Sequence, residues 1–264
     1  MLLAIDAGNT NVVFAIFKGD SIVGQWRIST DARRTADEYG VWLTQVIEHE
    51  GINPKNISAA IASCVIPQAM FDLKQLTKRY FNVELMVVGD ASVKTGMTVK
   101  IDNPKEIGAD RLVNSVAAWQ RFKKPLIVVD FGTATTFDNV NDKGEYVGGV
   151  IAPGVNLSLD ALQKAAAKLP NVSIARPEKV VATNTIGAMQ SGIYYGYVGL
   201  VEGIISRICE ERNFPAPAGA ANEVVVIATG GLASLYARIC RVIEHVEPDL
   251  TMLGLKQIYE GNRS

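Results

Sequence analysis

Two short stretches carry the residue types that handle phosphate: Asp6-Ala7-Gly8-Asn9-Thr10-Asn11 near the start of the chain, and Asp130-Phe131-Gly132-Thr133 near its middle. Each ends an apolar run, Leu2 to Ile5 in the first case and Leu126 to Val129 in the second. Glycine at 8 and 132 removes the Cβ that would hold a backbone away from a ligand, so main-chain N–H groups can converge on phosphate oxygens. Asn9, Thr10, Asn11 and Thr133 add neutral donors. The carboxylates of Asp6 and Asp130 repel phosphate, and the work open to them is to hold a cation or its water shell against it. The aspartates and the glycines are separated equally, since 130 − 6 and 132 − 8 are both 124. One Asp-x-Gly after a strand is a common turn. Two at one spacing, each followed by another apolar run, point to a duplicated unit.

A third cluster is Gly108-Ala109-Asp110-Arg111, at the head of a segment whose Leu112, Val113, Val116, Ala117 and Trp119 fit the buried face of a helix. The positive end of the helix dipole favours an ionised acid in the first turn, so Asp110 suits the task of orienting an alcohol and taking its proton. Arg111 offers a fork of donors to a carboxylate or phosphate. The plain alternative is a helix-start aspartate with a surface arginine beside it. Thr229-Gly230-Gly231 lies between a strand and a helix, where glycine permits nucleotide contact and the helix end favours anions, or where it makes a tight connection. His49 and His245 have no Cys or His at metal spacing and are expected to be solvated. Walker A, an early GxGxxG and GxSxG are all missing from the sequence.

These residues need elements to position them. Leu2 to Ile5, Val12 to Phe17 and Ser21 to Ile28 predict an antiparallel meander with the first glycine turn between its first two strands. Tyr39, Trp42, Leu43, Val46 and Ile47 recur at helical spacing until Gly51. A strand over 57–65, a helix over 68–81 and a strand over 83–88 follow. Pro125 begins the same grammar again, with a third strand over 145–151, a long helix from Thr185 to about Glu211, a strand over 224–228 and a helix over 232–241. Pro215 to Ala221 reads as a loop. The alternation predicts an α/β fold of two related lobes facing a cleft, taken as 1–115 and 116–264.

At 264 residues, with 48% hydrophobic and 20% charged residues, the chain can bury an ample core without staples. Its net charge of −1 supplies no global field for nucleic acid or an anionic membrane. Any anion must be bound locally. Cys64, Cys209 and Cys240 are odd in number and lack CxxC spacing, as expected of reduced, cytoplasmic thiols. The N-terminus lacks the basic start of a signal peptide, and no apolar run is long enough to span a bilayer.

Taken in order, Asp6-Ala-Gly-Asn-Thr-Asn11, Gly108-Ala-Asp-Arg111, Asp130-Phe-Gly-Thr-Ala134 and Thr229-Gly-Gly231 resemble the type III pantothenate kinases. The resemblance extends to Leu250-Thr-Met-Leu-Gly-Leu255. It implies duplicated actin-like, ribonuclease H-like lobes with mixed sheets, ATP between them, a homodimer, and phosphorylation of pantothenate to 4′-phosphopantothenate, the first step of coenzyme A biosynthesis. Residues Asp6, Ala7, Gly8, Asn9, Thr10, Asn11, Val12 and Val13 would form the first phosphate loop. Gly132, Thr133, Gly230 and Gly231 would meet the nucleotide. Asp130 resembles the ligand of the monovalent cation, potassium or ammonium, that the family uses beside Mg2+ and ATP, with Asp6 also on the metal side. Asp110 would accept the proton, Gly108, Ala109, Asp110 and Arg111 would line the pantothenate site, and Thr185 resembles a threonine presented across the dimer interface. Ile101 stands where many relatives have a tyrosine, so it offers apolar contact and no hydroxyl; Lys100 or Asp102 are alternatives for that wall. A nonenzymatic relative acting as an accessory transcription regulator, and a phosphatase or sugar kinase on the same architecture, are the competing readings.

Overall fold

The first sheet is built on a central strand that alternates cleanly between two cores. In the computed structural model, which describes residues 1–165, 170–214 and 224–263, β1 (Leu2–Ala7), β2 (Asn11–Lys18) and β3 (Ser21–Ser29) form the antiparallel meander that the apolar runs predict. After α1 (Ala36–His49), β4 (Ala59–Cys64) pairs parallel to β1; α2 (Met70–Phe81) then leads to β5 (Leu85–Val87), giving the order β3-β2-β1-β4-β5. Period-two alternation sends Leu3, Ile5 and Ala7 to one face, where Ile16, Phe14 and Val12 stand opposite them and α1 and α2 close the core. Leu2 and Ala4 face the other way.

That other face is covered by α3 (Ala109–Phe122), through Leu112, Val113 and Val116, and by the C-terminal helix. The chain falls into two compact units, one comprising Met1–Gln120 with the stretch from Asp249 onward, the other Arg121–Pro248. The division of 1–115 from 116–264 expected above therefore misplaces the last helix. Its Met252, Leu255 and Ile258 are needed to fill the open face of the first sheet. Each such burial is worth roughly 1.5–3 kcal/mol, which sequence order alone does not reveal. Two polar contacts fix its placement: Thr251 Oγ1 donates to Asn114 Oδ1 at 2.7 Å, and Lys256 Nζ bonds Asp20 at 2.8 Å.

The second unit repeats the plan. β6 (Leu126–Phe131), β7 (Ala134–Val140) and β8 (Tyr146–Pro153) form a meander, and after α4 (Val155–Ala165) and α5 (Thr185–Arg212), β9 (Val225–Thr229) pairs parallel to β6. A single turn, α6 (Ala233–Tyr236), and a two-residue strand, β10 (His245–Val246), complete the order β10-β9-β6-β7-β8, the counterpart of the first sheet. The helix expected over 232–241 is thus only its first turn, and Pro215 to Ala221 lie outside the described residues. The long α5 opens on Asn184, whose Oδ1 accepts from the Gly187 N–H at 2.8 Å, and buries Tyr194, Tyr197, Val201 and Ile205 against β6 and β9. The last helix of the chain is α7 (Leu250–Gly261). His245 packs its ring against Phe122 at 4.7 Å and is half-buried, unlike the exposed His49.

Because α7 holds α3, truncation of Leu255, which is fully buried, should be felt at Asp110. Leu255→Ala is expected to lower unfolding free energy by about 2–5 kcal/mol in urea titrations. An unchanged midpoint would show that α7 is not integral to the first unit.

Candidate active site

Asp6 sits at the carboxyl end of β1, in register with Ser63 on β4, and the Ser63 hydroxyl donates to Asp6 Oδ1 at 2.7 Å. Although the residue keeps a little accessible surface, protein atoms crowd its carboxyl. Burial lifts its pKa from 3.8 to about 6; the Ser63 hydrogen bond opposes that rise, and the charge of Asp110 adds to it. The structure therefore brings Asp110 within electrostatic reach of Asp6, inside one unit. Ala7 and Val12 pair across β1 and β2 with their side chains in the core, so what they offer a ligand is the position of the backbone. Val13 packs on the opposite face. The connection proper is Gly8-Asn9-Thr10, with Asn9 and Thr10 exposed and the Gly8 N–H donating to the Asn11 carbonyl at 3.0 Å.

Gly108 precedes α3, and Ala109, Asp110 and Arg111 form its first turn, all four half-buried. A Cβ on Gly108 would lie 2.5 Å from Asp110 Oδ1, so the carboxylate folds back over a position that only glycine leaves open. The Arg111 N–H donates to the same oxygen at 2.8 Å, which fixes the direction of the acid. Ile101 is half-buried on the segment leading to α3, with Lys100 and Asp102 exposed on either side. Thr185, by contrast, is exposed at the first position of α5 and belongs to the second unit.

In the second unit Asp130 occupies the position on β6 that Asp6 has on β1, and its register partner on β9 is Thr229, as Ser63 is for Asp6. Gly132 and Thr133 are exposed beyond it, on a loop one residue shorter than the first. Gly230 has φ +89°, and a Cβ there would lie 2.4 Å from Asp130 Oδ1 and 2.7 Å from the Phe131 carbonyl. The Thr229-Gly230-Gly231 turn is therefore seated directly on the aspartate. Beneath it Phe131 stacks on Tyr236 with ring centroids 5.1 Å apart.

Among the described residues no three His, Cys, Asp or Glu side chains cluster as a metal cage. Asp6 and Asp130, each beside a glycine loop, fit a cation that arrives with phosphate and keeps waters, as magnesium does. Cys64, the register partner of Ala7, has its thiol raised by burial, with Asp6 adding to the effect, so it is a poor nucleophile. Ser63 escaped the sequence reading because pairing register has no local signal. Gly154 also escaped it, although Pro153-Gly154 is a recognisable turn pair.

The family model described as Type III pantothenate kinase matches residues 2–207. A Type III pantothenate kinase of Paramagnetospirillum magneticum is 55% identical over 262 residues, covering 99% of this chain and 98% of that protein. Among solved structures, one from Campylobacter jejuni named for a Baf family transcriptional activator matches with TM-score 0.59 and 18% identity, over 98% of each chain. The activator of the 2-hydroxyisocaproyl-CoA dehydratase from Clostridium difficile, with bound ADPNP, matches with TM-score 0.53 and 13% identity, over 98% of this chain and 96% of that one. At those identities the two structural likenesses show a shared fold and nothing more.

A carboxylate raised by burial binds its proton more tightly folded than unfolded. Its contribution to stability is therefore greatest below pH 3.8 and declines as pH rises through about 6. At pH 8, without nucleotide or metal, Asp6→Asn should raise unfolding free energy by on the order of 1–3 kcal/mol, an advantage that shrinks as the pH approaches 4. Urea midpoints at three pH values test this, and a variant less stable than the parent at pH 8 would contradict it.

Proposed function

This chain belongs to the type III pantothenate kinase family, and from that premise we propose that its loops and Asp110 carry out the phosphorylation of pantothenate by ATP. The product is 4′-phosphopantothenate, at the entry to coenzyme A biosynthesis. The observation that carries the assignment of roles is the mutual proximity of Asp6 and Asp110 within one unit. A phosphate loop and an oriented carboxylate then serve one reaction. Phosphoryl transfer asks little covalent chemistry of the protein and much positioning.

Asp110, directed by the Arg111 N–H, aligns the acceptor hydroxyl of pantothenate and accepts its proton as the oxygen attacks the γ-phosphorus and the bond to the β–γ bridging oxygen breaks, releasing ADP. Arg111 offers its fork to the pantothenate carboxylate, and Ile101 gives that pocket an apolar wall. Gly8, Asn9, Thr10 and Asn11 direct amide and side-chain donors at phosphate oxygens, as do Gly132 and Thr133, with Gly230 and Gly231 against the nucleotide. Two negative groups, Asp6 and Asp110, beside a triphosphate would be strongly repulsive without an intervening cation. Asp6 suits the hydration shell of Mg2+, and Asp130 suits potassium or ammonium. These ions would neutralise charge on the phosphates as it shifts during transfer.

A homodimer accords with the exposed Ile151, Leu157, Val181 and Ile186 of the second unit, and would let Thr185 contribute to a partner's pantothenate site. Three free cysteines fit a cytoplasmic setting. Among the described residues no helix is long and apolar enough to cross a membrane. The likeness to a Baf family protein gives a nonenzymatic role no support beyond fold.

Asp110→Asn is expected to cut kcat by about 10²–10⁴-fold with the fold retained, read as ADP release in a coupled assay. Undiminished kcat would remove Asp110 from the chemistry. Replacing potassium by sodium should depress the wild-type rate, and indifference to that exchange would remove the monovalent-cation role of Asp130.

A further inference from the structure

Thr30, the residue that follows β3, grips the first loop with both of its donors. Its backbone N–H donates to the Thr10 carbonyl at 3.0 Å, and its Oγ1 donates to the Gly8 carbonyl at 2.6 Å. Because a trans peptide unit is planar, the N–H that follows a carbonyl points opposite to it. With the carbonyls of Gly8 and Thr10 turned toward Thr30, the amides of Asn9 and Asn11 are turned away from it, to a common side. The Gly8 amide is already engaged by the Asn11 carbonyl. The segment bearing Thr30 is itself anchored: Arg34 Nη1 donates to the Ser29 carbonyl at 2.7 Å, and Thr35 caps α1 reciprocally with Glu38.

We propose that Thr30 is a positioning residue for nucleotide binding, whose hydroxyl sets the Gly8 peptide so that the Asn9 amide stands oriented toward phosphate before ATP arrives. The proposal rests on reading Gly8 to Asn11 as a phosphate loop. Its second support comes from the other unit. At the mouth of the first meander Asn11 pairs with Ser29, and at the mouth of the second Ala134 pairs with Pro153. The next residue is Thr30 in one and Gly154 in the other. A Cβ on Gly154 would lie 2.1 Å from the Thr133 carbonyl oxygen and 2.8 Å from that of Gly132. In the shorter loop the carbonyls press on the supporting backbone itself, leaving no room for a side chain. The longer first loop leaves a gap, which the threonine hydroxyl spans with a hydrogen bond.

The substitution Thr30→Val keeps the shape and the backbone N–H and removes only the hydroxyl, while Thr30→Ser keeps the hydroxyl. Full-length variants are compared by calorimetric titration with a nonhydrolysable ATP analogue and Mg2+, by KM for ATP and for pantothenate, and by thermal unfolding. Thr30→Val is expected to weaken analogue binding and raise KM for ATP by about three- to tenfold, leaving KM for pantothenate and the unfolding temperature nearly unchanged, with Thr30→Ser within about twofold of wild type. Wild-type affinity in Thr30→Val, an equal loss in Thr30→Ser, or a parallel rise in both KM values would overturn the proposal. Should Thr30→Val not fold, Thr30→Ala is judged by the same criteria. A wild-type chain that binds no analogue would count against the kinase reading itself.

Discussion

The arrangement depends on one electrostatic constraint: a carboxylate held at the end of a central strand, next to the glycine loop that we propose as the phosphate loop. Asp6 meets this condition under burial that lifts its pKa to about 6, with Asp110 near enough to add to the rise. Burial makes the charged form of Asp6 costly, which is what the raised pKa expresses. In the proposed role, a cation and phosphate entering together would offset that cost, since each neutralises the repulsion that the other would meet. The architecture supplies rigidity for this. Asp6 belongs to a strand paired on both sides, and Ser63 across the parallel edge donates to one of its oxygens.

The same constraint is met twice. Both units place an aspartate at the end of the strand between an antiparallel and a parallel neighbour, and both put a hydroxyl residue, Ser63 or Thr229, opposite it. What differs is how the loop beyond is held. The first uses hydrogen bonds from Thr30, and the second uses contact of Gly132 and Thr133 with Gly154. The loop length differs between them by one residue. The two units thus share a register while the local chemistry beyond it differs.

How much of this was legible in the sequence follows from the range of each interaction. The meanders, α1 and α5 announce themselves through local periodicity, and the two Asp-x-Gly turns through their common spacing. Strand register, which brings Ser63 to Asp6, is a property of paired segments far apart in the chain, and no window of sequence contains it. The helix α4 was missed because Val155 to Ala165 follows Pro153-Gly154 and has only Val155 and Leu159 fully buried, too weak a stripe to stand out. The segment after Leu232 was read as too long a helix because its apolar residues pack in turns around Cys240 and Ile243. The candidate site was legible as a set of residue types, whereas the direction of each group required the backbone.

The return of the chain to its first unit shows why site and stability are hard to separate here. Asp110 lies in the first turn of α3, and a helix turn is only as well placed as the packing along the rest of its length. That packing comes from the last helix: Leu255 and Ile258 share a core with Leu112, Val113 and Val116, and Thr251 bonds the buried Asn114 one turn below the acid. A misplacement of 1 Å at a reacting group can cost on the order of 10²-fold in rate. Tying α3 to both the sheet and α7 makes its orientation a property of the whole first unit, so that residues 109–111 need no special rigidity of their own. The placement of Asp110 is in this sense completed by residues more than a hundred positions away, in the helix that packs on α3.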